Sequence, residues 1–261
     1  MKRHKTKYLI INADDFNLTS GVSRAILYAA ESDVISSTSV FINGKGVCYL
    51  TKLKRIPSCG VGLHFNVTLG KPVAKPYNVK SLITRRGFFI PRERYRFNQI
   101  EADDVFIELE LQIKKFVTIF QHLPTHINTH HHVHFYKKIY SVLYTIARKY
   151  QIPIRKRYFK KSLFEQKGII TTDYVYGRYS PKQHWTRGSL LHVIHMLKSG
   201  VSELIVHPGF SNGQLMKKSS FNIQREEELR ALCSEEFSNI IKEKGVVIIN
   251  FNDLKWLKRK F

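Results

Sequence analysis

The sequence predicts an α/β protein, a distorted and incomplete (β/α) barrel of about seven parallel strands. Short apolar runs alternate with longer segments of helical period, the pattern of repeated βα units. Polar and ionisable residues gather at the ends of those runs, as expected where the carboxyl ends of parallel strands converge on one face. With 261 residues the chain can bury a large core, and its Gly and Pro are scattered instead of forming linkers, so one domain over residues 1–261 is expected. Pattern alone leaves an open doubly wound sheet as the alternative.

Tyr8 to Ile11 reads as the first strand. Thr19 or Ser20 can cap a helix whose apolar face is Val22, Ala25, Ile26, Ala29 and Ala30. Ile35 to Ile42, β-branched and alternating, reads as a second strand and Val61 to Val67 as a third. Residues 70 to 100 form a basic insertion without clear period, a candidate substrate loop. Glu101 to Gln121 places Val105, Leu109, Ile113, Phe116, Val117 and Phe120 on one helical face, with Glu101, Asp103 and Asp104 at the end where the helix dipole favours them.

Thr125 to Thr129 is then a short strand, Phe135 to Tyr150 a helix turning Ile139, Val142, Leu143 and Ile146 inward, and Ile152 to Arg155 a return to the sheet. Residues 156 to 185 have no readable period. A helix follows over Gly188 to Lys198, a buried strand over Leu204 to Val206, one helix over Gln224 to Lys242, a last strand over Val246 to Asn250 and a short basic C-terminal helix.

Cys48, Cys59 and Cys233 match no zinc knuckle or redox pair, so a reducing compartment is expected. The apolar run behind the basic N-terminus is too short for a signal-peptide core, and nothing approaches the ~18 to 20 apolar residues of a membrane span. The chain is read as soluble and cytoplasmic, with contact at the membrane surface left open. The net charge of +23 gives it a field that attracts polyanions. Its basic residues, at Lys52 to Arg55, Arg85 to Arg96, Arg155 to Lys161 and Lys255 to Lys260, carry no aromatic stacking signature, so no dedicated nucleic-acid site is expected. Oligomeric state is unreadable.

The chemistry lies at the strand ends. Asp14 and Asp15 follow the first strand, His64 ends the third, His130 to His134 follow the fourth, Arg155 ends the next and His207 a later one. One carboxylate with two neutral imidazoles is a common set for a divalent metal with open positions. Two adjacent aspartates point in different directions, so one can bind the metal while the other stays available as a base. An Asp-Asp pair before a helix is on its own more often a cap, and a single buried histidine is often a hydrogen-bonded core residue. Four imidazoles in five positions have no packing rationale, but in an extended chain 130, 132 and 134 share one side, so spacing leaves the ligand open.

Asn12-Ala13-Asp14-Asp15-Phe16, Ser36-Ser37-Thr38-Ser39, Gly62-Leu63-His64-Phe65-Asn66-Val67-Thr68 with Gly70-Lys71-Pro72, Thr125-His126 with His130-His131-His132-Val133-His134, and His207-Pro208-Gly209 together resemble the YdjC-like carbohydrate deacetylases, the family that includes chito-oligosaccharide deacetylases. The resemblance implies a barrel related to polysaccharide deacetylases and removal of an acetyl group from an N-acetylated sugar. It implies a divalent metal held by Asp15, His64 and His130, with magnesium first and zinc, manganese or cobalt as alternatives. Asp14 matches the general base and His207 the general acid. Arg155 is expected to orient Asp14 or bind substrate, and Asn66 to bind substrate.

This chain departs from the family pattern at two positions. Asn17 stands where the family commonly has Gly; Asn tolerates a left-handed backbone, so the turn is expected to survive. Asn128 stands where the family commonly has Asp, and a neutral amide there is expected to weaken support of a metal-binding histidine. Two other functions fit the same residues: a metal-dependent phosphoesterase, and a non-catalytic polyanion-binding protein on a degenerate deacetylase fold. The basic insertion and tail also suit an anionic lipid or a lipid-phosphate-linked sugar as partner.

Overall fold

Strand β1 (Lys7–Phe16) leads into α1 (Ser20–Glu31), β2 (Ser37–Val40), α2 (Val47–Leu53) and β3 (Gly60–Phe65) in the computed structural model. After the insertion come α3 (Ala102–Phe120), β4 (Ile127–Thr129) and α4 (Lys137–Tyr150). The last part holds β5 (Tyr174–Tyr176), α5 (Arg187–His195), β6 (Gly200–Val206), α6 (Gly213–Met216), α7 (Ile223–Leu232), α8 (Glu235–Glu243), β7 (Val246–Ile248) and α9 (Phe251–Arg259). The structure describes residues 6–44, 46–96, 99–156, 168–177 and 183–259. Most of the unreadable 156–185 stretch, including the basic residues from 157 to 161, lies outside the described residues, as does Lys260. No described helix is long and apolar enough to cross a membrane.

The strands follow the order β4-β3-β2-β1-β6-β5, with β7 also beside β1. The chain builds two compact units, one from Met1–Thr38, Gly46–Gly60 and Thr172–Phe261, the other from Ser39–Lys45 and Val61–Thr171. In the first, β1 is buried from Leu9 to Phe16 because both of its faces are covered, which is why it reads as an unbroken apolar run before its polar end. β6 pairs parallel to β1 from Lys7 opposite Gly200 to Ala13 opposite Val206, and β7 pairs parallel to it from Lys7 opposite Val246 to Leu9 opposite Ile248. α1 is capped by the Thr19 hydroxyl, which accepts from the Val22 N–H, and it buries the apolar face read from the sequence.

In the second unit, β3 and β4 pair in parallel with His64 opposite Asn128. α3 and α4 bury the expected apolar residues, except that Val117 is only half-buried. The described residues of the insertion hold regular local structure: short 3-10 turns over Pro76–Asn78, Lys80–Leu82 and Arg92–Arg94 flank an antiparallel bridge between Ile83 and Phe89. Glu108, fully buried on α3, accepts the backbone N–H groups of Val73 and Ala74 at 2.9 Å each and so fixes the insertion's entry.

Several sequence expectations change. The first strand runs on through the aspartates to Phe16, and the second shrinks to Ser37–Val40. Ile152 to Arg155 is reduced to one bridge, Ile127 with Ile154. The single helix expected over 224–242 is two, because Ser234 accepts the Phe237 N–H and starts α8 afresh with Glu235 and Glu236 in its first turn. α2, β5 and α6 were not expected; each is too short to show a period.

Candidate active site

In the first unit, the β1–β6 register sets Ala13 beside Val206, so Asp14 and His207 leave the sheet at neighbouring positions. Asp14 is buried, accepts from the Asn12 amide at 2.7 Å through Oδ1, and holds Oδ2 4.0 Å from Nε2 of His207. The His207 loop is fixed by buried Glu228, whose carboxylate accepts the His207 N–H at 2.6 Å and the Trp185 N–H at 3.1 Å. The Trp185 indole N–H donates to the Ile205 carbonyl at 2.7 Å, tying the same loop to β6.

Asp15 takes a left-handed backbone with φ 73°, which Asp tolerates better than most residues and which interrupts the strand's alternation. Its Oδ2 accepts from the Arg225 guanidinium at 2.6 Å, both side chains being about 5% exposed or less. Arg225 had no visible signal in the sequence. Its place depends on Gly209, where a Cβ would stand 3.0 Å from Arg225 Cδ and 3.2 Å from Val22 Cγ2, so the glycine of His207-Pro208-Gly209 makes room for the guanidinium. Asn17 also has a left-handed backbone, φ 74°, so the expected turn is present, and its Oδ1 accepts the Gly46 N–H at 2.9 Å, a bond that a glycine could not make.

In the second unit, the β3–β4 register brings His64 Nδ1 within 2.6 Å of Asn128 Oδ1. The Asn128 NH2 donates to Ser39 Oγ at 3.0 Å, which turns the amide oxygen toward the ring. An amide oxygen only accepts, so Nδ1 of neutral His64 carries the hydrogen and Nε2 keeps its lone pair for a ligand. Phe41 packs edge-on against His64 and His130 at 4.9 and 4.7 Å, and the two imidazoles stand 5.5 Å apart.

His130 to Phe135 is a kinked 3-10 turn, with His131 and His132 both at φ 53°, and not an extended segment. His130, His132 and His134 therefore do not share one side as they would in an extended chain. His131 Nδ1 lies 3.1 Å from Thr68 Oγ1, and His134 Nδ1 lies 2.6 Å from Thr129 Oγ1. Asp15, His64 and His130, all buried, each offer one ligand atom, and those atoms lie within 4.8 Å of one another.

Arg155 is buried and its N–H donates to the Ile127 carbonyl at 3.1 Å. Asn66 is engaged with its own loop and with Asn43: Oδ1 accepts the N–H groups of Thr68 and Leu69 at 3.0 Å each, and Nδ2 donates to the Leu69 carbonyl at 2.7 Å and to Asn43 Oδ1 at 3.2 Å. Burial pushes the Cys59 thiol up to about 12, so it supplies no thiolate near neutral pH.

The model for the family described as YdjC-like protein matches residues 8–243. The chain belongs to the YdjC-like family. A carbohydrate deacetylase from Thermoanaerobacter pseudethanolicus is 30% identical, covering 95% of this chain and all of that one. A chitooligosaccharide deacetylase from Proteus mirabilis is 28% identical, covering 94% and 98%. Among solved structures, an Enterococcus faecalis protein named for cellobiose-phosphate cleavage superposes with a TM-score of 0.87 at 28% identity, covering 95% of this chain and 99% of its own. A family 4 carbohydrate esterase from Streptomyces lividans superposes with a TM-score of 0.53 at 10% identity, covering 94% and 92%, a likeness of fold. The chain thus shares with that esterase the α/β fold of parallel strands, in keeping with the incomplete (β/α) barrel expected from the sequence.

Proposed function

We propose that this YdjC-like chain is a metal-dependent hydrolase that removes the N-acetyl group from an acetylated amino sugar, a chito-oligosaccharide or related glycan, and releases acetate. The observation that carries the reading is the buried set of Asp15, His64 and His130 in a chain whose relatives are named as carbohydrate deacetylases. That donor set fits a divalent cation, and two imidazoles suit zinc, manganese or cobalt as well as the family's magnesium. His64 would bind through Nε2, and Asp15 through a carboxylate oxygen. When bound, such a cation polarises a carbonyl and lowers the pKa of water.

The chain's own residues supply the proton traffic. Asp14 accepts the proton of the attacking water, and its Asn12 bond aims the carboxylate. His207, protonated, donates to the departing sugar nitrogen, which leaves poorly without that proton. Glu228 keeps the His207 backbone in place for this transfer. Arg155 contributes to substrate binding, and Asn66 shapes the loop that faces the sugar.

Acetate release from N-acetylglucosamine oligomers, measured beside bound-metal content, tests these roles. Asp14→Asn loses acetate release and keeps its metal, whereas His64→Ala loses both. A fully active Asp14→Asn protein removes Asp14 as the base. Phosphate release from simple esters without acetate release would replace the deacetylase by a phosphoesterase.

A further inference from the structure

We propose that the segment from Gly70 to Arg96 is a docking surface for an anionic lipid membrane, centred on the hairpin tip Arg85-Arg86-Gly87-Phe88. This goes beyond the proposed reaction and does not depend on it. The segment holds eight Lys and Arg residues against a single acidic one, Glu93, while the whole chain has 43 against 20. All eight basic side chains, Lys71, Lys75, Lys80, Arg85, Arg86, Arg92, Arg94 and Arg96, are exposed.

These charges stand on a fixed scaffold. Besides Glu108 at the entry, Asp104 accepts the Ser81 N–H at 2.7 Å, and the Tyr95 hydroxyl donates to the Val67 carbonyl. Val79, Leu82 and Phe89 are buried beneath. The tip is a tight turn in which the Thr84 N–H donates to Phe88 at 2.8 Å and the Gly87 N–H to Thr84 at 2.9 Å. Gly87, at φ 73°, supplies the left-handed residue that leaves Arg85 and Arg86 at the apex.

The tip also carries an apolar ring facing out. Phe89 turns inward across the bridge, so Phe88 turns outward and is 47% exposed, with Lys71 Nζ 5.0 Å from its centroid. Tyr77 is 63% exposed, with Lys75 Nζ 5.8 Å from its ring. Cations beside exposed aromatic rings suit a headgroup layer, where the cations meet phosphates and the rings settle at the interface. Single-stranded nucleic acid is held instead on aromatic platforms lining a groove. Here the rings lie on separate turns, each with an ammonium beside it.

Flotation of the full chain with phosphatidylcholine vesicles, with and without phosphatidylglycerol, tests the proposal. The chain should float only with the anionic vesicles. Each cation removed should weaken partitioning about fivefold, so Arg85→Glu with Arg86→Glu should weaken it at least about 25-fold. Phe88→Ser, which keeps every charge, should also weaken it. Lys52→Glu with Arg55→Glu, an equal charge change on exposed residues outside the segment, should do far less. Equal losses from the two pairs would overturn the proposal by assigning binding to net charge alone. Wild-type partitioning in the tip variants would overturn it too. So would binding of a single-stranded RNA oligonucleotide in preference to vesicles, lost on the same tip changes.

Discussion

Two groups meet His64 Nδ1, Asn128 Oδ1 at 2.6 Å and Ser39 Oγ at 3.0 Å, and because the amide oxygen can only accept, Asn128 sets the hydrogen on that nitrogen. The expected weakness of an amide at this position concerns charge, since the hydrogen bond itself is kept. Asn128→Leu removes the nearer acceptor at Nδ1, leaving Ser39 Oγ at 3.0 Å, and should weaken divalent-metal binding about 10-fold, read by titration against a chelating dye. Asn128→Asp restores an acceptor with a charge and should bind at least as tightly as the wild type. Unchanged affinity in Asn128→Leu would separate this contact from the metal. Arg225 makes the complementary case on Asp15. Removing one partner of a buried ion pair costs about 3 to 5 kcal/mol, so Arg225→Met should melt well below the wild type after chelation. A bound cation would restore a positive neighbour to Asp15, and the deficit should shrink in saturating metal. A deficit that ignores metal would argue against Asp15 as a ligand.

Helices were legible in the sequence in proportion to their length. α1, α3 and α4 show their faces because Val22, Ile26 and Ala29, or Leu109, Ile113 and Phe116, repeat over several turns; α2 and β5 are too short to repeat anything. The break between α7 and α8 was available in Ser234-Glu235-Glu236, a cap followed by acidic residues, but the surrounding helical composition hid it. α7 hides its role for another reason: Arg225 and Glu228 share its buried side with Leu229 and Leu232, because that side serves Asp15 and the His207 loop as well as the core. The insertion had no period because its order comes from α3, through Glu108. Burial raises the Glu108 carboxyl above its ordinary 4.5, with the Val73 and Ala74 bonds opposing that rise. The folded state therefore binds more protons than the unfolded one above pH 4.5. The stabilising contribution is complete below that value and is lost as pH rises through the folded pKa. Urea denaturation across pH should show the wild type losing stability relative to Glu108→Gln over this window. A difference that stays constant with pH would mean that Glu108 does not titrate there.

At the scale of the whole molecule, the parallel order of strands explains why a candidate site could be proposed from residues scattered between positions 14 and 207. Each strand end is a fixed place on the sheet, so polar residues at strand ends were informative before any distance was known. Asp14, Asp15, His64 and His207 were legible on that ground, while His130 was singled out of its run only by family resemblance. Arg225 was not legible, since its position depends on the space left at Gly209. The most direct measurement of the central claim is acetate release from N-acetylglucosamine oligomers by protein stripped with a chelator and titrated with divalent metal. The stripped protein should release no acetate, recovery should saturate near one metal per chain, and Asp15→Ala, His64→Ala and His130→Ala should show no recovery. Full acetate release from the exhaustively stripped protein would contradict the claim.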